Sequence, residues 1–420
     1  MPCERDPSQF FEAFLFPHIF RAFRMAIHPR KMVLAFGAVL IITLVGLAMD
    51  MAPTVVTDGH NVTELDAYVQ GKGEYTRFVE THAELGRRIG VFMTLVRFGV
   101  ARFEAIVRCL AGLNVIVVLD NLGQGLLSVE WVFREHPVYG LFFFTAVLAV
   151  FAVTGGAICR MAALQFAQNE RPGLVEALRF SVARFRSLFC APLTPVFIMA
   201  CIGSFIAVVG LLGNIRYVGE IVLGLSMPLI LMAGVLIMLV VLGTLGGMTL
   251  MFPTIAFENS ECVLAVNNSF RYAFARPWRL ALYNGIALVY GAVSYVVARF
   301  FVFGLLLACY RFLELGFLHR NLKLQTLWTE PRFSNLFELP ADMGSPMVIV
   351  NGALWTETVA VWLVQISVLS VVGLLVAFVV SFCFTVNTII YALMRKRVDD
   401  VDLTEVRSVY DEPDEEEEDE

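Results

Sequence analysis

The sequence predicts an all-α integral membrane protein of about six transmembrane helices, with amphipathic interfacial helices and an internal parallel repeat of about 88 residues. Three observations predict it. Of 420 residues, 58% are hydrophobic and only 16% charged, whereas soluble domains carry about a quarter charged residues; mean hydropathy is +0.74. Six apolar runs, roughly 33 to 50, 137 to 157, 191 to 213, 226 to 250, 281 to 308 and 360 to 391, are long enough to cross about 30 Å of hydrocarbon as helices. Helix is the form open to them, because lipid offers no partner to a bare backbone N–H or C=O. Finally, sliding the chain by 88 residues pairs Gly155 with Gly243, Glu170 with Glu258, Val175 with Val263, Ala177 with Ala265 and Ser181 with Ser269, keeping apolar spans on apolar spans.

The N-terminal segment, residues 1 to 32, is cytoplasmic and amphipathic. Its Phe-rich stretch from 8 to 27, carrying Arg21 and Arg24, lies along the inner face until Pro29 opens the first helix, 33 to 50. Charges of both signs precede that helix, so it reads as an uncleaved anchor. Residues 51 to 136 are extracytoplasmic and hold an Asn61-Val62-Thr63 glycosylation triplet. Within them, Phe92, Val96, Phe103, Val107 and Leu110 form one stripe, with Arg97, Glu104 and Arg108 opposite. A spanning helix here would place those charges in lipid at about 2.5–3.5 kcal/mol each. Residues 113 to 133 are interrupted by Asp120, Asn121, Gly123 and Gln124. We therefore read 89 to 134 as a pair of external amphipathic helices, with two further spans as the alternative.

Residues 137 to 308 form the duplicated unit, twice running a span, a basic cytoplasmic segment and a span. In the first segment Arg179, Arg184 and Arg186 surround Phe180, Phe185 and Phe189, a pattern for aromatics in the acyl boundary and guanidinium groups near lipid phosphates. Arg271, Arg276 and Arg279 take that role in the second. The small pairs Ala177/Ser181 and Ala265/Ser269 suit close helix packing, and Glu170 and Glu258 are expected as helix N-terminal caps. A degenerate third copy is read at the N-terminus, where Phe20 to Phe23 leads into His28-Pro29-Arg30-Lys31 much as Phe270 to Phe274 leads into Arg276-Pro277-Trp278-Arg279. Arg299 is the candidate intramembrane polar site, expected to snorkel toward the outer end of its helix, with an anion or substrate contact as the other reading. Residues 309 to 359 are an extracytoplasmic loop, capped by 331 to 346, and 360 to 393 make the last span.

The tail, 394 to 420, is cytoplasmic and acidic. Nine carboxylates in residues 411 to 420 leave the remainder of this −6 chain at +3, and so dense a run is expected to be disordered. Lys and Arg divide as 17 inside and 13 outside, with Arg299 within a span. The bias is sharpest at Arg21, Arg24, Arg30 and Lys31 and at Arg395, Lys396 and Arg397, which places both termini in the cytoplasm and the protein in the inner membrane.

Thr388 to Asp399, read as Thr-Ile-Ile-Tyr-Ala-Leu-Met-Arg-Lys-Arg-Val-Asp and followed by Asp402, Glu405 and Val406 and an acidic tail, resembles the ending of a family of uncharacterised bacterial multi-pass membrane proteins. Ala265, Ser269 and Arg276-Pro277-Trp278-Arg279 resemble that family too and, more loosely, the membrane domains attached to glycerophosphodiesterases. The resemblance implies fold and location and carries over no catalytic residue, since no catalytic domain is attached here.

No phosphate-binding loop, zinc-protease, hydrolase-elbow or dinucleotide fingerprint occurs. The eight cysteines include no CxxC pair, and the six histidines have no ligand spacing. We expect no catalytic residue, cofactor, metal or nucleic-acid partner. The expected function is that of a non-enzymatic membrane scaffold or interaction module, engaging the lipid bilayer and, through its acidic tail, protein partners. The alternative is a permease or lipid-handling protein with a cavity between the two repeats. The lack of a mid-span carboxylate weighs against coupled transport.

Overall fold

The computed structural model describes residues 16–58, 62–82, 87–112, 114–215, 219–316, 328, 330, 331, 333 and 355–406. Asn61, residues 317–327 and 334–354 of the 309 to 359 loop with most of its expected cap, and the 411 to 420 block lie outside the described residues, while 309–316 and 355–359 continue the flanking helices. Thirteen α-helices are present among those described: α1 Arg21–Ala26, α2 Pro29–Met49, α3 Glu64–Gln70, α4 Lys72–His82, α5 Val91–Ala111, α6 Val115–Glu135, α7 Pro137–Ala167, α8 Leu174–Ala183, α9 Phe185–Leu212, α10 Gly219–Glu258, α11 Cys262–Ala275, α12 Pro277–Gly316 and α13 Trp355–Val398. A 3-10 turn, Phe16–Phe20, precedes α1, and β1 Val55–Thr57 pairs antiparallel with β2 Arg87–Ile89.

Seven of the helices are long and apolar enough to cross a membrane: α2, α6, α7, α9, α10, α12 and the Val359–Val398 part of α13. The chain is thus an all-α membrane protein. The seventh candidate is α6, the second of the helices read above as external and amphipathic; α5 is not among the seven. Apolar side chains cover the outside of α10, with Ile221, Leu225, Leu231, Met232 and Val235 all more than 60% exposed, a surface that water would not tolerate. The helices also outrun their apolar runs: α10 reaches Glu258, eight residues past the expected end.

Two compact units are built from interleaved segments. Residues 36–148 and 291–379 make one. Its two-stranded sheet sets Val55 opposite Ile89, and Val55, Leu65, Tyr68, Val91, Phe98, Trp131 and Val132 form a buried cluster. Asp50, just past α2, accepts from the backbone N–H groups of Phe92 and Met93, both at 2.9 Å. It thereby caps α5 from 42 residues away, where the residue in the cap position, Gly90, has no side chain to do so. A β-carbon at Gly90 would collide with the Asp50 carboxyl. Burial raises that carboxyl above its usual range, against the opposing pull of the two N–H bonds.

The other unit comprises residues 1–35, 149–290 and 380–420. Ala152, Phe180, Leu188, Ala191, Met251, Ile255, Ala265 and Val266 form its buried cluster, with Phe185 and Phe189 packed against it. The aromatics expected at the acyl boundary therefore face protein, because Phe180 lies over the buried Arg160, 4.8 Å from ring centre to guanidinium. The small pairs each settle on a glycine of the preceding long helix. Gly156 sits under Ser181 and Leu188, and Gly247 sits under the Ser269 backbone.

Candidate functional site

The basic segments α8 and α11 and the end of α13 come together in one polar assembly within this second unit. It starts at the helix ends. α7 and α10 each give way to an asparagine in the left-handed region, Asn169 (φ 56°) and Asn259 (φ 54°), the residue type after glycine best suited to ending a helix that way. Arg160 of α7 donates to the Ala256 carbonyl at 2.7 Å, satisfying one of the acceptors that the C-terminal turn of α10 leaves open. Arg184, at the end of α8, donates to Asn259 Oδ1 at 2.7 Å.

Glu258, the last residue of α10, is the hub. Its carboxylate accepts from Tyr391 Oη and from Asn268 Nδ2, the latter at 2.8 Å, and stands 3.9 Å from Arg395 Nε. One turn along α11, Tyr272 Oη donates to Asp399 Oδ2 at 2.5 Å, and Arg271 Nη2 donates to the same oxygen at 2.7 Å. Burial first, then the hydrogen bond to Asp399, pushes the Tyr272 phenol well above its ordinary range. Arg395 Nη1 closes the assembly on the Glu405 carbonyl at 2.8 Å. The string from Thr388 to Met394 is buried throughout, whereas Lys396 to Asp399 are half-buried and Asp402 and Glu405 are exposed.

Neither glutamate of the 88-residue pairing caps a helix. Glu258 ends one, because α10 runs farther than α7 and the loop after it is correspondingly shorter. Glu170 is exposed in the loop after α7, and the carboxylate over the start of α8 is Glu176, accepting from the Gly173 N–H at 3.3 Å.

The six basic candidates divide. Arg184 and Arg271 are tied to Asn259 and Asp399, whereas Arg179, Arg186, Arg276 and Arg279 are exposed. On α8 and its continuation Val175 (70% exposed) and Val182 (62%) alternate with Arg179 and Arg186 at spacings of four, three and four, which puts all four on one outward face. On α11 and the start of α12, Val263 (69%), Phe274 and Trp278 (86%) share the outward side with Arg271, Arg276 and Arg279. Sequence reasoning orients the phenylalanines outward; in the structure the valines are the exposed members.

In the first unit Arg299 does not reach out of its helix. Its side chain is 12% exposed, Nη1 lies 3.2 Å from Glu104 Oε1, and Nη2 donates to the Phe333 carbonyl at 2.9 Å. Glu104 belongs to the charged face of α5 described above, and Phe103 beside it packs edge-on against Tyr295 at 4.9 Å. No residue in the sequence adjoining either charge announces the pair, which joins positions 195 residues apart.

Comparison with known proteins found no matching family model, no matching curated protein and no matching solved structure.

Proposed function

We propose that this protein is a non-enzymatic scaffold of the inner membrane, with both termini in the cytoplasm, that holds two amphipathic helices of an 88-residue parallel repeat against anionic lipid headgroups and offers its acidic tail to protein partners. The observation that supports it most is the pair of outward faces on α8 and α11, where valines and a tryptophan interleave with the exposed arginines Arg179, Arg186, Arg276 and Arg279. Such a face suits the boundary between acyl chains and phosphates. The repeat draws support from like exposure at paired positions: Val175 and Val263 are 70% and 69% exposed, while Ala177, Ala265, Ser181 and Ser269 are at most 1%. The Glu258, Tyr272, Tyr391 and Asp399 contacts give the scaffold its rigidity, since each joins a basic segment or its support to the end of α13.

The test has two arms. The variant R179Q/R186Q/R276Q/R279Q, reconstituted in bilayers containing phosphatidylglycerol, is expected to leave α8 and α11 more accessible to a water-soluble thiol reagent at V182C and V263C than the parent does. Equal accessibility would count against the surface reading. Co-purification with and without residues 411 to 420 is expected to show tail-dependent partners, and identical sets of proteins in both samples would remove the interaction reading.

A further inference from the structure

A cavity of about 540 Å³ opens in the second unit beside α1 and the end of α7. Its polar lining is Arg21, Arg24, Gln165 and Asn169, its apolar lining includes Phe20 and Phe166, and no carboxylate is among the lining residues described. Arg21 and Arg24 are three positions apart on α1 and so project from the same side. Behind them Lys31, 1% exposed, donates from Nζ to Gln165 Oε1 at 2.9 Å. That bond takes the amide oxygen as acceptor and leaves the Gln165 NH2 group to donate into the cavity. His18 packs edge-on against Phe166 at 5.8 Å; burial first, then Arg21 and Lys396, holds its pKa below the usual 6.5.

Two guanidinium forks, an oriented amide and no acid form a set of donors in search of a multidentate anion. The volume exceeds that of a bare phosphate and falls in the range of small-molecule sites, and the phenylalanines supply a lip for an apolar or glycerol portion. We propose that this cavity binds a phosphate group, either the headgroup of an anionic phospholipid or a soluble phosphate ester. Guanidinium pairs match phosphate oxygens bidentately, which favours phosphate over a single carboxylate. The site is separate from the outward faces of α8 and α11 and does not depend on them.

The full-length protein in bilayer discs of neutral lipid doped with phosphatidylglycerol would be assayed by native mass spectrometry for retained lipid, and in detergent by thermal unfolding against inorganic phosphate and glycerol phosphate. Retained anionic lipid that falls about ten- to a hundredfold in R21Q/R24Q, with K72Q/R77Q, a pair of exposed basic residues of the other unit, behaving like wild type, assigns the headgroup. Stabilisation of wild type but not R21Q/R24Q by the soluble phosphates, without lipid preference, assigns a soluble ester. Equal lipid retention and equal phosphate response in wild type and R21Q/R24Q overturn the proposal. Q165A, which leaves both arginines in place, is the second variant: about tenfold weaker binding is expected, and wild-type binding by Q165A when R21Q/R24Q does not fold also overturns it.

Discussion

Replacing Tyr391 by Phe isolates the contact on which the end of α13 depends. The Glu258 side chain is 13% exposed and accepts from two donors, Tyr391 and Asn268. The substitution removes one donor from a largely buried carboxylate and keeps the ring, which still packs against Phe257 at 5.4 Å and Tyr272 at 5.6 Å. A hydrogen bond to a charged group contributes about 1.5–3 kcal/mol, and little apolar burial is lost to add to it. Local opening of α13 over 384–398 is therefore expected to become roughly 10–150 times more populated. Hydrogen exchange of those backbone amides in bilayer discs reads that ratio. In a double-mutant cycle with E258Q, the coupling is expected to be about 1 kcal/mol or more, since each single change spoils the same bond. Exchange in Y391F within twofold of wild type, or additivity within about 0.5 kcal/mol, would refute the assignment of Glu258 as a hub.

Other outcomes follow from the same geometry. G247A would drive a β-carbon to 3.1 Å from the Ser269 carbonyl and is expected to destabilise the α10–α11 packing by about 1–3 kcal/mol, whereas at Gly203 a β-carbon meets nothing within 4 Å, so G203A should be neutral in the same unfolding assay. D50A strips α5 of the side-chain cap that Asp50 supplies and is expected to cost about 0.5–2 kcal/mol, seen as faster amide exchange at Phe92 and Met93. Tyr272 has a folded pKa above its unfolded value of 10.0, so the stability it contributes is complete below pH 10 and is lost as pH rises toward the folded pKa; Y272F should flatten that alkaline loss, and tyrosinate absorbance tracks the titration. Glu104→Gln leaves Arg299 buried without its carboxylate, and a loss of about 3–5 kcal/mol is expected, measured by unfolding and rescued in part by the double variant E104Q/R299Q.

The long apolar helices are legible in the sequence because lipid demands long apolar runs, and each of the six expected runs falls in a long helix. Their ends were not. Met251 to Phe257 extend α10 beyond its lipid-like stretch because protein, not lipid, buries them, and composition does not separate those two apolar surroundings. The same ambiguity turns Phe180, Phe185 and Phe189 the wrong way: aromatics among arginines read as an acyl-boundary pattern, and only the neighbours Arg160 and Leu188 show that they pack on protein. Polar pairing was the least legible layer. Glu104 reads as a charge costly to place in lipid and Arg299 as a polar group within a span, yet nothing local ties one to the other, and the Glu258–Tyr391 bond closes over 133 residues.

That separation has a consequence for how the chain is made. A ribosome adding about 5–20 residues per second needs roughly 7–27 s to travel from Glu258 to Tyr391, and during that interval the hub carboxylate, the glycine face of α7 that Phe384 covers and the Tyr272 hydroxyl wait without the helix that completes them. The second unit is thus sealed by late-synthesised residues, and a nascent chain paused before α13 would present a membrane-insertion factor or a quality-control protease with an exposed acid beside an open groove.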